Sequence, residues 1–242
     1  MLKAHGSFIA KLAIASLCSC FTIQTFSQED NGLYTEVELG AIYTSGNTED
    51  ENVQFKTSVN WIRNLWNYEF SIDGFRSSKE GELAAQRVYY VASTNYEFTE
   101  NSFILGRLAY DDDRFSGYDS QSDISINYGR NMLTNRTNME LMFNVGVGLR
   151  QSRSEAGDFD EPILRLAGDY SWDLSETATF SQELSAESGS QTSIFRAESS
   201  IQTQIMDNLS LRFSINLKHQ TEVPLGREKT DTETAITFVM SF

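Results

Sequence analysis

Leu209-Ser210-Leu211-Arg212-Phe213-Ser214-Ile215-Asn216-Leu217-Lys218 alternates an apolar with a polar residue at every step. Successive side chains of an extended strand point to opposite faces, so this stretch has one greasy face and one polar face, which a helical period would not give. Leu141, Phe143, Val145, Val147 and Leu149 repeat the pattern against Glu140, Asn144, Gly146, Gly148 and Arg150, and Thr234, Ile236, Phe238, Met240 and Phe242 repeat it again. Weaker copies are centred on residues 37–43, 53–61, 68–72, 88–98, 104–110, 124–128, 164–172, 180–186 and 195–205, which brings the segments to twelve. Pro162 and Pro224 are the only prolines and fall between or at the edges of these segments, where a missing ladder donor does least harm.

Many alternating strands fit either a soluble sandwich or barrel, or a membrane barrel whose apolar faces meet lipid. The polar face here is heavily charged, with Lys56, Glu69, Asp73, Arg87, Arg107, Glu140, Arg150, Arg165, Asp169, Glu183, Arg196, Glu198, Arg212 and Lys218. Links alternate in length: residues 63–67, 99–102, 175–177 and 207–208 are tight, whereas 77–84, 112–121, 151–161 and 221–230 are longer and polar. Short turns at one end and long loops at the other mark an outer-membrane barrel, with the turns in the periplasm. Trp61, Trp66, Tyr68, Phe98, Phe103, Tyr128, Trp172 and Phe180 sit beside the tight links, and Tyr43, Tyr90, Tyr110, Phe115 and Tyr118 lie towards the long ones. Two aromatic belts suit two membrane interfaces and have no purpose in a soluble barrel. The expected fold is therefore an all-β, transmembrane, antiparallel up-and-down barrel of about twelve strands over residues 28–242.

The start of the chain sets the compartment. Lys3 and Lys11 precede a short apolar run at residues 12–21, too short to span a bilayer, which reads as a secretory signal peptide over residues 1–27. Thr25 and Ser27 suit the positions before a cleavage at Gln28; a lipoprotein signal acylated at Cys20 is the rival reading, and Cys18 fits it poorly. No cysteine lies beyond residue 20, so the exported chain has no disulfide and no thiol chemistry. Removing Lys3 and Lys11 from 19 basic residues leaves 17 against 34 acidic ones, a balance of −17 that makes nucleic acid an unsuitable partner. Beyond the signal no apolar stretch approaches the roughly 20 residues of a membrane helix, so only a closed barrel is left to cross a membrane.

No catalytic, cofactor or metal site emerges. Ser45-Gly46-Asn47-Thr48 links the first two segments as a hairpin turn, since Gly and Asn tolerate positive φ. Asp111, Asp112 and Asp113, residues 48–51, and Asp158, Asp160 and Glu161 are acidic enough to hold a divalent cation if the barrel mouth brings them together, but they lack the Gly and terminal Glu of a calcium loop. His219 is the one histidine after the signal, and its parity with Leu217 puts it on the lipid-facing side near the outer rim. That is a poor place for a general base. The inward Arg107, Arg150, Arg165, Arg196 and Arg212 are expected to pair with Glu140, Asp169, Glu183 and Glu198 across the lumen.

Phe242, preceded at alternate positions by Met240 and Phe238, resembles the C-terminal signal read by the outer-membrane barrel-assembly machinery. The whole chain resembles the family of salt-induced outer-membrane proteins, the domain of unknown function 481. The likeness is carried by Leu39-Gly40-Ala41-Ile42-Tyr43-Thr44-Ser45-Gly46-Asn47-Thr48, by Gly106-Arg107-Leu108-Ala109-Tyr110-Asp111-Asp112-Asp113-Arg114-Phe115, and by Val145-Gly146-Val147-Gly148-Leu149. It implies a fold and a location in the bacterial outer membrane, without an activity. The residues add the functional expectation: a monomeric, non-enzymatic envelope or stress-adaptation barrel with a largely plugged polar lumen, contacting outer-membrane lipid. The alternative is a narrow channel for small solutes or ions.

Overall fold

The structure is a computed structural model that describes residues 31–44, 50–79, 82–113, 116–154 and 157–242. The signal segment, the turn at residues 45–48, Arg114 and Phe115 lie outside the described residues. Twelve strands follow one another: β1 (Asn31–Thr44), β2 (Asp50–Arg63), β3 (Trp66–Lys79), β4 (Glu82–Thr99), β5 (Ser102–Asp113), β6 (Ser120–Met132), β7 (Met139–Arg153), β8 (Phe159–Ser175), β9 (Ala178–Gly189), β10 (Ser193–Met206), β11 (Leu209–Gln220) and β12 (Thr230–Ser241). Each pairs antiparallel with its chain neighbours, and β1 closes on β12. Every alternating segment read from the sequence lies within one of these strands, except that Phe242 falls one residue past β12.

The apolar faces point outward. On β7, Val147 and Leu149 are 60% and 61% exposed, while Asn144 and Arg150 of the opposite parity are buried. A soluble sheet would bury the first set and hydrate the second, so the inverted pattern describes a wall that faces lipid and encloses polar groups. The strands run 12 to 18 residues, against about 9–11 needed to cross a bilayer, so their ends project from it.

The closing seam runs from Glu36 opposite Ser241 to Leu39 opposite Phe238, whereas β1 pairs with β2 along its full length. The Phe242 amide donates to the Thr35 carbonyl at 2.8 Å and the Phe242 carbonyl accepts from the Thr35 amide at 3.1 Å, extending that seam by one step.

The links differ from expectation. The long link expected at residues 77–84 shrinks to 80–81, because Ser77, Ser78 and Lys79 stay paired with Ala85, Leu83 and Glu82 through a bulge. Ladder hydrogen bonds do not need an apolar face, so a strand outlasts its alternation. Residues 133–138 form the longest link at the tight-turn end, and 221–229 the longest at the other.

The belt beside the tight links forms as stacked rings: Trp61 with Tyr68 at 5.3 Å between centroids, Trp66 with Tyr96 at 4.8 Å, and Phe98 with Tyr128 at 6.2 Å. Two residues leave their expected belts. Phe103 is only 2% exposed and faces the lumen, where its ring covers the Gly129 backbone opposite; a Cβ there would stand 2.1 Å from the ring. Tyr118 is buried between the links, its hydroxyl donating to the Glu222 carbonyl at 3.2 Å and its ring edge-on to Phe159. Burial pushes its phenol above the usual tyrosine range.

Candidate functional site in the barrel lumen

Register sets some opposite charges side by side, such as Arg150 and Glu161, and elsewhere sets like charges together whose partners lie across the barrel. Arg196 on β10 stands directly opposite Lys218 on β11. Neither neutralises the other, and both reach over the lumen to Asp111 on β5, Lys218 at 2.8 Å and Arg196 at 3.4 Å. Lys218 also meets Asp113 at 3.4 Å. Arg87 on β4 joins Asp73 at 3.0 Å on the neighbouring β3 and Glu233 at 2.9 Å on the distant β12. Lys56 on β2 reaches Glu198 on β10 at 3.5 Å, and Arg212 bridges that same Glu198 to Glu38, which lies 3.6 Å away and accepts the Thr237 hydroxyl.

The hub of the outer half is Glu187 on β9, 1% exposed and ringed by guanidinium groups from four other strands. Arg196 stands at 3.3 Å, Arg150 at 3.6 Å, and Arg107 and Arg165 at 3.8 Å. Three of the four hold a second carboxylate, Arg107 with Asp123 at 2.5 Å, Arg150 with Glu161 at 2.8 Å and Arg196 with Asp111. Tyr89 adds its hydroxyl to Arg107 and its ring face to Arg196, at 5.1 Å. Charges this far from water are tolerable only because each has an opposite charge and hydrogen bonds around it.

The layer extends outward into the links. Glu161 accepts the Gln191 amide at 2.7 Å, and Arg150 donates to the Thr192 carbonyl, so the link at residues 190–192 is pinned onto the buried ion pairs. Gly189 permits this approach, since a Cβ there would stand 2.3 Å from the Glu161 carboxylate. Thr192 in turn donates its hydroxyl to the Glu222 carbonyl at 3.1 Å, which ties the 221–229 link to the layer beneath.

The lumen holds a cavity of about 520 Å³ that extends from beside Arg87, Lys218 and Glu233 towards the tight turns, where its lining includes Glu36, Glu69, Asp169 and Glu183. Among the described residues these four have no ion pair. Asp169, Glu183 and Glu198 lie in direct register on β8, β9 and β10, a row of three carboxylates of which only Glu198 has cations.

The expected pairing is thus corrected in its acidic partners. All five arginines have acid partners, but only Arg107 and Arg196 reach well across the barrel, Arg165 meeting its neighbour Glu187 on the adjacent strand, and of Glu140, Asp169, Glu183 and Glu198 only the last takes part. Glu187, Asp123, Glu161, Asp111 and Glu38 do the rest. Parity alone marks all five as inward; which acid meets which base depends on the stagger between strands, which one segment does not carry. The supposed mouth cluster also dissolves. Asp111 and Glu161 are strand residues consumed by cations, Asp160 turns to Gln151 outside, and among the described residues no His, Cys, Asp and Glu group is placed to hold a metal ion. His219 lies on the outer wall against Phe195, its ring nitrogen 2.8 Å from the Thr230 hydroxyl.

Solved outer-membrane proteins share this barrel fold. The NanC porin superposes with a TM-score of 0.55 at 11% identity, over 85% of this chain and 98% of that one. The COG4313 outer membrane channel from Pseudomonas putida F1 gives 0.53 at 8% identity, over 89% and 97%. At such identities the likeness is one of fold. In sequence, the Uncharacterized protein YdiY of Escherichia coli K12 is 22% identical over 234 residues, 96% of this chain and 92% of that protein. Residues 37–242, from the middle of β1 through the closing strand, match the family described as Protein of unknown function, DUF481, and the chain belongs to that family.

Proposed function

We propose that this chain is a monomeric, non-enzymatic barrel of the bacterial outer membrane that serves envelope integrity under stress, with a lumen closed to bulk solute. The observation that carries the reading is the set of ion pairs strung from wall to wall: Lys56 to Glu198, Arg87 to Glu233, Arg107 to Glu187, and Arg196 and Lys218 to Asp111. Each chord obstructs the path and costs energy to break, because a released partner is left as an uncompensated charge. Planar-bilayer recording of the purified barrel tests it: near-absent conductance is expected, and large steady steps would overturn the closed lumen.

A second reading, a narrow channel for small cations, is favoured by the unpaired carboxylates of the cavity. It forecasts conductance with cation preference that Asp169→Asn reduces. The long-link end faces the cell exterior in either case, so a tag at Asp158 or Gly226 is accessible on intact cells and one at Asp207 is not; the opposite labelling reverses the orientation. Assembly through the closing strand makes loss of Phe242 lower the outer-membrane yield.

A further inference from the structure

We infer that the tight-turn half of the lumen binds a small zwitterion, its anionic end held by Arg165 and its cationic end by Asp169 together with Glu183. Arg165 differs from the other lumen cations. Lys56, Arg87, Arg107, Arg150, Arg196, Arg212 and Lys218 each have a carboxylate within 3.5 Å. Arg165 has only Glu187 at 3.8 Å, which three other arginines already share. Its Nη1 donates to Asn144 at 2.7 Å, while its Nε is buried with no acceptor, in a residue only 8% exposed. What sets Arg165 apart is its distant, shared carboxylate, since Arg87, Arg150 and Arg212 also each keep one nitrogen without an acceptor; a guanidinium so weakly matched on a cavity wall suits a carboxylate or similar oxyanion.

Four residues further along the same face of β8 the charge changes sign. Asp169 stands directly opposite Glu183, an arrangement that is unfavourable unless a cation lies between them. Among the described residues no cation comes within ion-pair distance of either carboxylate. Asp169 has Met142 on its other side, and Glu183 has Glu198, whose carboxylate is already occupied by Lys56 and Arg212. Between the arginine row and the acid row lie Ala167 and Ser185, register partners with small side chains that leave the space open. They line one end of the lumen cavity, whose volume of about 520 Å³, reaching as far as Lys218 and Glu233, falls in the range that small-molecule sites take, roughly 300–1,000 Å³. An acidic patch alone would collect any cation; an underpaired guanidinium on the same wall selects a ligand carrying both charges, with a short spacer across Ala167.

The inference goes beyond the closed-lumen reading and does not require it. Titration calorimetry of the detergent-solubilised barrel with glycine, 4-aminobutanoate and 6-aminohexanoate, alongside butylamine and butanoate, tests it. Saturable binding of at least one amino acid is expected, with both singly charged analogues at least about tenfold weaker. Arg165→Gln and Asp169→Asn should each weaken it by about tenfold or more, and Glu183→Gln serves if either fails to fold. Silence with every zwitterion, butylamine binding as tightly as the amino acids, or full affinity in the folded variants overturns the site. Conductance of the same preparation keeps the two proposals apart: binding by a conducting barrel sinks only the closed lumen, and no binding by a silent barrel sinks only the site.

Discussion

The two halves of the lumen hold similar residues and use them differently. Around Glu187 every carboxylate meets a guanidinium or an ammonium group, and Glu187, Arg150 and Glu161 are fully buried. Around Asp169 and Glu183, among the described residues, the carboxylates have no ion pair, and they line an open cavity. The strands are the same strands, and both halves alternate in the same way. The β8–β9 register is also the same; what differs is which residues it brings together, Arg165 opposite Glu187 at one level and Asp169 opposite Glu183 four residues further along. An interior of charged side chains is thus a cross-linked core in one place and a potential ligand chamber in another.

Substitutions that attack the outer half should cost most. Glu187→Ala leaves four guanidinium groups crowded around a void and should destabilise the barrel by about 3–5 kcal/mol in urea unfolding followed by tryptophan fluorescence. Loss below 1 kcal/mol would show that the hub is not structural. Gly189→Val should cost about 1–3 kcal/mol, because its side chain displaces the Glu161 carboxylate and with it the partner of Arg150. The same unfolding measurement on Gly189→Val combined with Glu161→Gln should show less than the sum of the two losses, and strict additivity would deny the coupling.

Smaller effects are expected nearer the chamber. Lys56→Met should cost no more than about 1 kcal/mol, since Lys56 and Glu198 are 25% and 20% exposed and Glu198 keeps Arg212. At the far end of the comparison, Asp169→Asn should stabilise the empty barrel slightly, by a few tenths of a kcal/mol to about 1 kcal/mol, as it relieves a like-charge pair in direct register. Destabilisation there would mean that the carboxylate has a partner in solution, and the contrast between the halves would narrow.

Much of the barrel was legible before any coordinates. Alternation alone located all twelve strands, and the charge on the polar face, together with two aromatic belts, pointed that face inward. Phe103 escaped the reading because its place beside a tight link resembles that of its outward neighbours; its parity with the inward Leu105 and Arg107, and the glycine opposite, assign it to the interior. The link at residues 80–81 escaped because backbone pairing continues where side-chain alternation has ended.

The sequence by itself determined the strand count, the facing of most strand residues and the absence of cysteine beyond residue 20, since all three follow from composition and a period of two. It also named the five arginines that the lumen would have to neutralise. The tertiary structure decided their partners: that Glu187 would gather four of them, that Asp111 would leave the presumed mouth cluster for Lys218 and Arg196, and that Asp169 and Glu183 would be left facing each other. Parity is a local property of one strand. Stagger accumulates around the closed barrel, so groups more than a hundred residues apart, such as Asp111 and Lys218, meet at a distance that no single segment encodes.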